Sequence, residues 1–194
     1  GAAAPPPAES RATRRRRRAR ESATATAAAR ESFFARAARA LRSEDFWRLG
    51  DGAVAVAPLG LGLGRIANFI NGELWGRASA APWAVIFPAS PEPLTPRHPS
   101  QLYEAALEGF LLFAWLFPGV WRGRWGAGGA AARFVLGYAA ARFAVEFFRE
   151  PDADIGYQWL HLTRGQWLSA VMAAAGFWMI FWLRRRFGKQ EARA

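Results

Sequence analysis

AVAVAPLGLGL followed by GRIANFINGELWGRAS, residues 53–79, joins an apolar, glycine-rich run to a dense set of polar side chains. Polar groups beside an apolar segment need hydrogen-bond partners or water. A solvated helix face is usually rich in Lys and Glu, whereas this stretch has no Lys and mixes carboxamides with arginine. An ordinary helix end is one interpretation; the composition favours a polar site at the end of a membrane helix. Its polar side chains are those of Arg65, Asn68, Asn71, Glu73 and Arg77.

Apolar segments long enough to cross a membrane recur after this stretch. The first runs over residues 49–63 and reaches about twenty residues if its helix continues to Asn68. A soluble helical domain is the alternative, but the tryptophans lie mainly near segment ends, as in the aromatic belts of membrane proteins. We therefore predict an all-α, polytopic membrane helix bundle with about four transmembrane helices. The later spans are residues 105–121, 130–148 and 166–183, and the first of these has Pro118 and Gly119 near its end. The Trp residues that fit the belts are Trp47, Trp75, Trp121, Trp125, Trp159, Trp167 and Trp182.

The net charge of +11 is confined to the two ends of the chain. Residues 1–48 carry +7 and residues 184–194 carry +4, whereas residues 49–183 are neutral. A nucleic-acid-binding domain carries its basic charge on the folded part, so we expect no nucleic-acid partner. The alternative is that the basic N-terminal segment is an arm that binds RNA or DNA. The chain has no Cys and two His, so we predict no disulfide, no metal site and no cofactor.

Composition divides the chain into four parts. Residues 1–32 are a low-complexity basic tail without the apolar region of a signal peptide, and we predict that they are disordered. Residues 33–48 have the pattern of a basic amphipathic helix on an anionic membrane surface. Residues 49–186 form the transmembrane domain, and residues 187–194 form a basic cytoplasmic tail.

Three basic segments predict the topology. With four spans, the N-terminal arginines, the 122–133 loop and the arginines at 184–186 fall on one side, which the positive-inside rule makes cytoplasmic. The connections at residues 67–104 and 149–165 then face outward, and the polar stretch that follows residue 63 lies on the outer side.

The third apolar segment contains ionisable groups on one helical face. Tyr138, Arg142, Glu146 and Arg149 are spaced by four, four and three residues. An ionised side chain in a membrane is costly unless it is paired or hydrated. Two interpretations stay open, a structural Arg142–Glu146 ion pair and a cationic site for an anionic ligand; we favour the second. Arg65 and Arg142, from different spans, would together suit one phosphate group.

The outer loop ends in a polar stretch that starts the next helix. Ser100 with Glu104 in the first turn has the pattern of a structural helix start, and His98 is interpreted as solvated or as a proton acceptor. The residues alone thus predict an outward-facing, arginine-rich site for a lipid headgroup or another anion. They do not separate a lipid-modifying enzyme from a transporter.

Four blocks of this sequence are similar to those of bacterial prolipoprotein diacylglyceryl transferases, and in the same order. The resemblance covers about residues 44–186. The blocks are GRIANFINGELWGR at 64–77, RHPSQLYE at 97–104, YAAARFAVEFFREPD at 138–152 and GQWLSAVM at 165–172.

This resemblance implies an enzyme of the bacterial inner membrane with its active site on the periplasmic side. Such an enzyme transfers the diacylglyceryl group of phosphatidylglycerol to the lipobox cysteine thiol of a prolipoprotein and releases glycerol 1-phosphate, the first step of lipoprotein maturation. The implied partners are phosphatidylglycerol, prolipoprotein signal peptides with a lipobox cysteine, and membrane lipids. Residues 49–186 would be the C-terminal part of the family's catalytic domain.

The resemblance also assigns roles to residues. It implies that Arg65 contacts the lipid headgroup, and that cationic donors neutralise the phosphate that leaves. The implied catalytic residues are Arg65, Asn68, Glu73, Tyr138 and Arg142, and the implied substrate-binding residues are Arg65, Gly76, His98, Arg142 and Glu146.

The family fold has seven spans, of which this sequence displays the last four. The region before Asp45 does not resemble the first three spans or the periplasmic head, and a His and a Tyr that the family uses there have no counterpart here. We expect the chain to be N-terminally incomplete, either as a piece of a longer product or through a divergent or misassigned start. The alternatives to an active transferase are an inactive lipid-binding fragment and an anion or lipid transporter.

Overall fold

The computed structural model describes residues 43–150 and 158–191 and eight isolated positions between residues 14 and 40, with side chains as far as residue 187. The chain divides into two units, Gly1–Ser43 and Glu44–Ala194. The second unit contains all the elements described below. Most of the predicted disordered tail, residues 1–32, and seven of the sixteen residues of the predicted amphipathic helix, 33–48, lie outside the described residues, as do residues 151–157.

Four helices form the second unit. In chain order they are α1, Glu44–Ile70; α2, Ser100–Trp121; α3, Gly129–Val145; and α4, Arg164–Glu191. Between α1 and α2 the chain forms two short antiparallel strands, β1, Val85–Ile86, and β2, Pro96–Arg97. A single 3₁₀ turn, Trp159–His161, precedes α4.

The helices have the length and the surface of a membrane bundle. Three of them, α1, α2 and the Arg164–Phe187 part of α4, are long and apolar enough to cross a membrane. At most 39% of the apolar window in each is buried, so large apolar side chains face outward along most of their length. The predicted all-α membrane bundle is confirmed. The remaining helix, α3, has 17 residues, which is the lower limit for a membrane span.

The helix boundaries differ from the predicted spans at several ends, and α3 ends at Val145 instead of residue 148. Helix α1 starts at Glu44 and ends at Ile70, so residues 44–48 continue the first span instead of belonging to a separate surface helix. Helix α2 starts at the predicted Ser100, five residues before the apolar span, and continues through Pro118 to Trp121. Helix α4 continues past residue 186 into the predicted tail.

Two glycines let α1 and α2 pack closely. A Cβ at Gly62 would lie 3.1 Å from the Cα of Gly109, and one at Gly109 would lie 2.5 Å from the Cα of Gly62. Gly109 belongs to a π-helical segment, Ala105–Leu111, within α2. Such segments are rare and often occur at functional sites. This crossing holds the acidic first half of α2 against the end of α1 that carries Arg65.

Asp51 of α1 caps the first turn of α3. Its Oδ2 accepts a hydrogen bond from the Gly128 amide, its Oδ1 accepts one from the Ala131 amide, and both bonds are 2.8 Å long. Gly128 has a φ of 77°, which favours glycine. A carboxylate in this place satisfies amides that have no partner within the helix. This cap fixes where α3 begins beside α1.

We expect Asp51→Ala to lower the free energy of unfolding by about 0.5–2 kcal/mol, because two buried amides lose their acceptor. Denaturation of the detergent-solubilised chain by a titration of sodium dodecyl sulfate would measure the change. Asp45→Ala, which removes an exposed carboxylate from the first turn of the same helix, is the matched control. Equal stability of the two variants would contradict the cap.

Candidate active site

A single buried carboxylate, that of Glu104 in α2, receives three arginines from separate parts of the chain. Its Oε1 accepts hydrogen bonds from Arg142 Nη1 at 2.8 Å and Arg149 Nη1 at 2.6 Å. Its Oε2 lies 2.6 Å from Arg65 Nε in an ion pair without hydrogen-bond alignment. The Glu104 side chain is 0% exposed, whereas those of Arg65 and Arg142 are 24% and 18% exposed. The glutamate therefore holds partly accessible guanidinium groups in fixed positions.

Two further buried glutamates surround Arg142. Its Nη2 lies 3.2 Å from Glu146 Oε2, one helical turn further on, and its Nη1 lies 3.6 Å from Glu108 Oε1. Glu146 also accepts a hydrogen bond of 3.0 Å from the Thr163 hydroxyl. The ion pair that the spacing allowed is thus present, within a network of three arginines and three glutamates that we call the Arg–Glu network (Arg65, Glu104, Glu108, Arg142, Glu146 and Arg149).

Hydrogen bonding in this network is incomplete. Among the described residues, six buried side-chain atoms have no hydrogen-bond partner, and four of these belong to the network. Buried polar groups are nearly always hydrogen-bonded in folded proteins, and here each exception within the network is instead in contact with an oppositely charged group of the network. The four atoms are Glu104 Oε2, Glu108 Oε1, Glu146 Oε2 and Arg149 Nε.

A cavity of about 320 Å³ lies beside the network, between the second half of α3 and the first turns of α4. A Cβ at Gly165 would lie 2.5 Å from the Glu146 carboxyl group, so only glycine lets α4 start this close to the network. The cavity has charged groups of the network on the α3 side, and the α4 side combines the apolar Leu168 and Met172 with Arg164 and Ser169. Its lining residues are Tyr138, Arg142, Glu146, Arg149, Arg164, Gly165, Leu168, Ser169 and Met172.

The polar stretch after α1 acts on the site through its backbone. The Gly76 amide donates to the His98 carbonyl at 2.9 Å, and the next amide donates to the Phe148 carbonyl at 3.0 Å. Arg77 Nε donates to the Arg149 carbonyl at 2.6 Å. These bonds tie the loop to the end of α3 and so fix the backbone of Arg149.

Gly76→Ala is expected to lower the free energy of unfolding by about 1–3 kcal/mol, because a Cβ has no room in this backbone contact. It would lie 2.4 Å from the Phe148 carbonyl oxygen and 2.7 Å from that of His98. Gly64→Ala, within α1 and with no atom within 4 Å of the new Cβ, is the control and should not destabilise the chain. A thermal unfolding curve in detergent compares them, and an equally stable Gly76→Ala variant would contradict the close approach.

Comparison with known proteins decides the family. A family model described as prolipoprotein diacylglyceryl transferase matches residues 25–182. The chain belongs to this family. The match begins earlier, at residue 25, than the resemblance recognised from residue 44.

Several prolipoprotein diacylglyceryl transferases, each named phosphatidylglycerol--prolipoprotein diacylglyceryl transferase, are similar to the chain. That of Idiomarina loihiensis is 51% identical over 137 residues, which are 70% of this chain and 50% of the relative. That of Sinorhizobium medicae is 57% identical over 139 residues, 69% of this chain and 48% of the relative. That of Brucella ovis is 52% identical over 151 residues, 75% of this chain and 52% of the relative. The chain spans about half the length of the curated relatives it matches.

The structure brings four of the predicted site residues together. Arg65, Arg142 and Glu146 belong to the Arg–Glu network, and Tyr138 lines the cavity beside it while stacking on Phe134. Gly76 reaches the network only through the backbone contact just described.

Three other predicted residues lie outside this group. Glu73 has an exposed side chain, and its carbonyl oxygen accepts a hydrogen bond from the Gln101 side chain. The Asn68 carbonyl accepts the Glu73 amide at 3.0 Å, and its half-buried side chain does not line the cavity. His98 lies within 3.1 Å of the Tyr103 hydroxyl and lines a separate, apolar cavity of about 420 Å³ with Tyr103 and Phe148.

The predicted helix start at Ser100 is confirmed, because α2 begins there, but the Ser100 side chain does not cap the helix. Pro99 occupies the N-cap position, and the Ser100 hydroxyl donates to the Leu74 carbonyl at 3.1 Å instead of capping its own helix. Glu104 is the centre of the network. One sequence signal would have identified it: Glu104 and Glu108 are four residues apart in an otherwise apolar span, where acids are rare and functional.

Proposed function

We propose that the chain takes part in the transfer of a diacylglyceryl group from phosphatidylglycerol to the lipobox cysteine thiol of prolipoproteins. The observation that carries this proposal is the Arg–Glu network, in which Glu104 holds Arg65 and Arg142 and in which Arg142 lines a cavity at the end of the membrane helices. The name of the family, which gives the acceptor, and the names of the relatives, which give donor and acceptor, support it.

The arginines suit the chemistry of the leaving group. In this reaction the cysteine sulfur forms a bond with a glycerol carbon of the lipid, the bond from that carbon to the phosphate oxygen breaks, and glycerol phosphate leaves with the electron pair. Guanidinium groups held in place before the reaction stabilise the charge that develops on the phosphate. A thiol with an ordinary pKa of about 8.5 must also lose its proton to a base.

The apolar surroundings suit a lipid substrate. The cavity that His98 lines is almost wholly apolar and lies between α2 and α3, where it offers an apolar surface to an acyl chain. We place the network on the periplasmic side of the inner membrane, because the arginine-rich segments at residues 122–133 and 184–186 lie at the other ends of the helices.

A transfer assay tests the proposal. The chain is reconstituted in phosphatidylglycerol vesicles with a synthetic lipobox peptide, and the peptide mass is followed. The expected result is a mass increase of one diacylglyceryl group on the cysteine. The same peptide with Ser in place of the cysteine, and vesicles of phosphatidylcholine, are the controls, and neither should give a product.

An unchanged peptide mass, under conditions in which a relative of full length gives product, would contradict transfer by this chain. If the chain nevertheless retains phosphatidylglycerol through purification and Arg65→Gln loses it, the network has a role in lipid binding alone.

A further inference from the structure

A second arginine-lined cavity lies at the opposite end of the bundle from the Arg–Glu network. It has a volume of about 240 Å³ and lies between the loop that joins α2 to α3 and the last turns of α4. Its arginines are Arg124, Arg133 and Arg184. Arg133 and Arg142 are nine residues apart on α3, which separates them by about 13 Å along the helix axis. The two cavities are therefore distinct.

One guanidinium group in this cavity is held in place. Arg133 Nη1 donates a hydrogen bond of 2.8 Å to the Gly129 carbonyl, and the guanidinium lies over the Trp125 ring at 4.6 Å from its centroid. A Cβ at Gly129 would lie 2.7 Å from the Trp125 Cβ and 3.2 Å from Arg133 Nη1, so glycine is needed for this arrangement. Arg133 is thus held in place at the wall of the cavity, whereas Arg124 and Arg184 are exposed arginines at its edge.

The positive charges of this cavity lack the acidic partners that the first network has. Among the ion pairs of the described residues, none includes Arg124, Arg133 or Arg184. Asp51, the carboxylate that attracts Arg133, already accepts two amides of α3. Three guanidinium groups that line one small cavity form a binding site for an anion with several oxygen acceptors, such as a phosphate.

The other walls indicate which phosphate compound fits. Leu183 and Phe187 give the cavity an apolar side that continues along α4. Trp47 and Trp182 pack together at the same end, with ring centroids 6.0 Å apart, as expected where helices leave the hydrocarbon and enter the headgroup layer. We propose that this cavity binds the phosphate group of an anionic phospholipid, whose acyl chains lie along the apolar surface of α4.

Native mass spectrometry of the 194-residue chain in neutral detergent tests the site, with phosphatidic acid as the probe. Arg133→Gln combined with Arg184→Gln removes two charges from the cavity. Arg122→Gln combined with Arg186→Gln removes two charges from the same helix ends but none from the cavity lining. We expect the first double variant to lose one bound lipid, with affinity at least about tenfold weaker than in the wild type, and the second to bind as the wild type does.

Inorganic phosphate and phosphatidylcholine separate the possible ligands. Competition by millimolar inorganic phosphate without any preference for phosphatidic acid over phosphatidylcholine would assign the site to a free phosphate and overturn the lipid proposal. Equal weakening in both double variants would also overturn it, since only the general basic charge would then attract the lipid.

Folding is checked by thermal unfolding of each variant without lipid. Arg184 is exposed, so the single variant Arg184→Gln keeps the test valid if the double variant unfolds. Binding by Arg184→Gln at the wild-type affinity would then exclude this arginine and, with it, the proposed site. Because the affected arginines lie outside the Arg–Glu network, transfer activity and lipid binding at this cavity can fail independently.

Discussion

Glu104→Gln is expected to lower the free energy of unfolding by about 3–5 kcal/mol, which is the usual cost of removing one partner from a buried ion pair. Glu104 is 0% exposed and contacts Arg65, Arg142 and Arg149 at 2.6–2.8 Å. A neutral amide keeps the shape of the side chain but leaves three arginines facing two glutamates. The positive charge in excess is then partly buried and has no carboxylate to balance it.

Denaturation in sodium dodecyl sulfate measures this loss of stability. Glu73→Gln is the matched control, because the Glu73 carboxylate lies at the same end of the bundle but is exposed. The double variant Glu104→Gln/Arg149→Gln restores the balance of charges. It should recover part of the lost stability. The double-mutant cycle of the two substitutions should then give a coupling energy between positions 104 and 149 of about 0.5–3 kcal/mol. If Glu104→Gln were as stable as Glu73→Gln, the carboxylate would not be the centre of the network.

Apolar length predicted the helices, but local partners determined where they begin and end. The sequence left the end of the first span open between residues 63 and 68, because Arg65 and Asn68 are polar. In the structure, α1 continues to Ile70. Arg65 stays helical because a buried glutamate of another helix neutralises it. Pairing of this kind joins residues far apart in sequence, so hydrophobic periodicity does not reveal it.

The π-helical segment of α2 has no sequence signal of comparable strength. Ala105–Leu111 contains no proline, and its only ionisable residue is Glu108. The segment occurs where Gly109 packs against Gly62 and where Glu108 lies near Arg142. Tertiary contacts therefore select this local geometry, which explains why a prediction from composition places an ordinary helix there.

For the candidate site, a four-residue spacing within one helix predicted a contact correctly, whereas membership of the same polar stretch did not. Positions 142 and 146 were placed on one face by their spacing, and the structure contains their ion pair at 3.2 Å. In contrast, Glu73 is only eight residues from Arg65 in the polar stretch, but its side chain is exposed and outside the network. The loop turns away after α1, with φ of 71° at Gly72 and 56° at Leu74. Irregular backbone of this kind cannot be predicted from the pattern of polar residues.

Arg142→Lys is expected to reduce kcat for diacylglyceryl transfer by about 10²–10³, the usual effect of removing one preorganised donor. The guanidinium of Arg142 contacts Glu104 through Nη1 at 2.8 Å and Glu146 through Nη2 at 3.2 Å, while it lines the cavity. Lysine keeps the positive charge, so the buried glutamates stay neutralised and the fold is retained. A single ammonium group cannot span both carboxylates and still present a planar fork to a phosphate.

Initial rates with the lipobox peptide in phosphatidylglycerol vesicles, together with thermal unfolding, separate chemistry from stability. Arg122→Lys, an exposed arginine at the end of α2 and outside both arginine-lined cavities, is the matched control and should keep the wild-type rate. Arg142→Ala is the more damaging variant, since it leaves three buried glutamates with one cation fewer and is expected to lose stability as well as activity. A rate for Arg142→Lys within threefold of the wild type would show that charge alone, and not the geometry of the guanidinium, serves the reaction at this position.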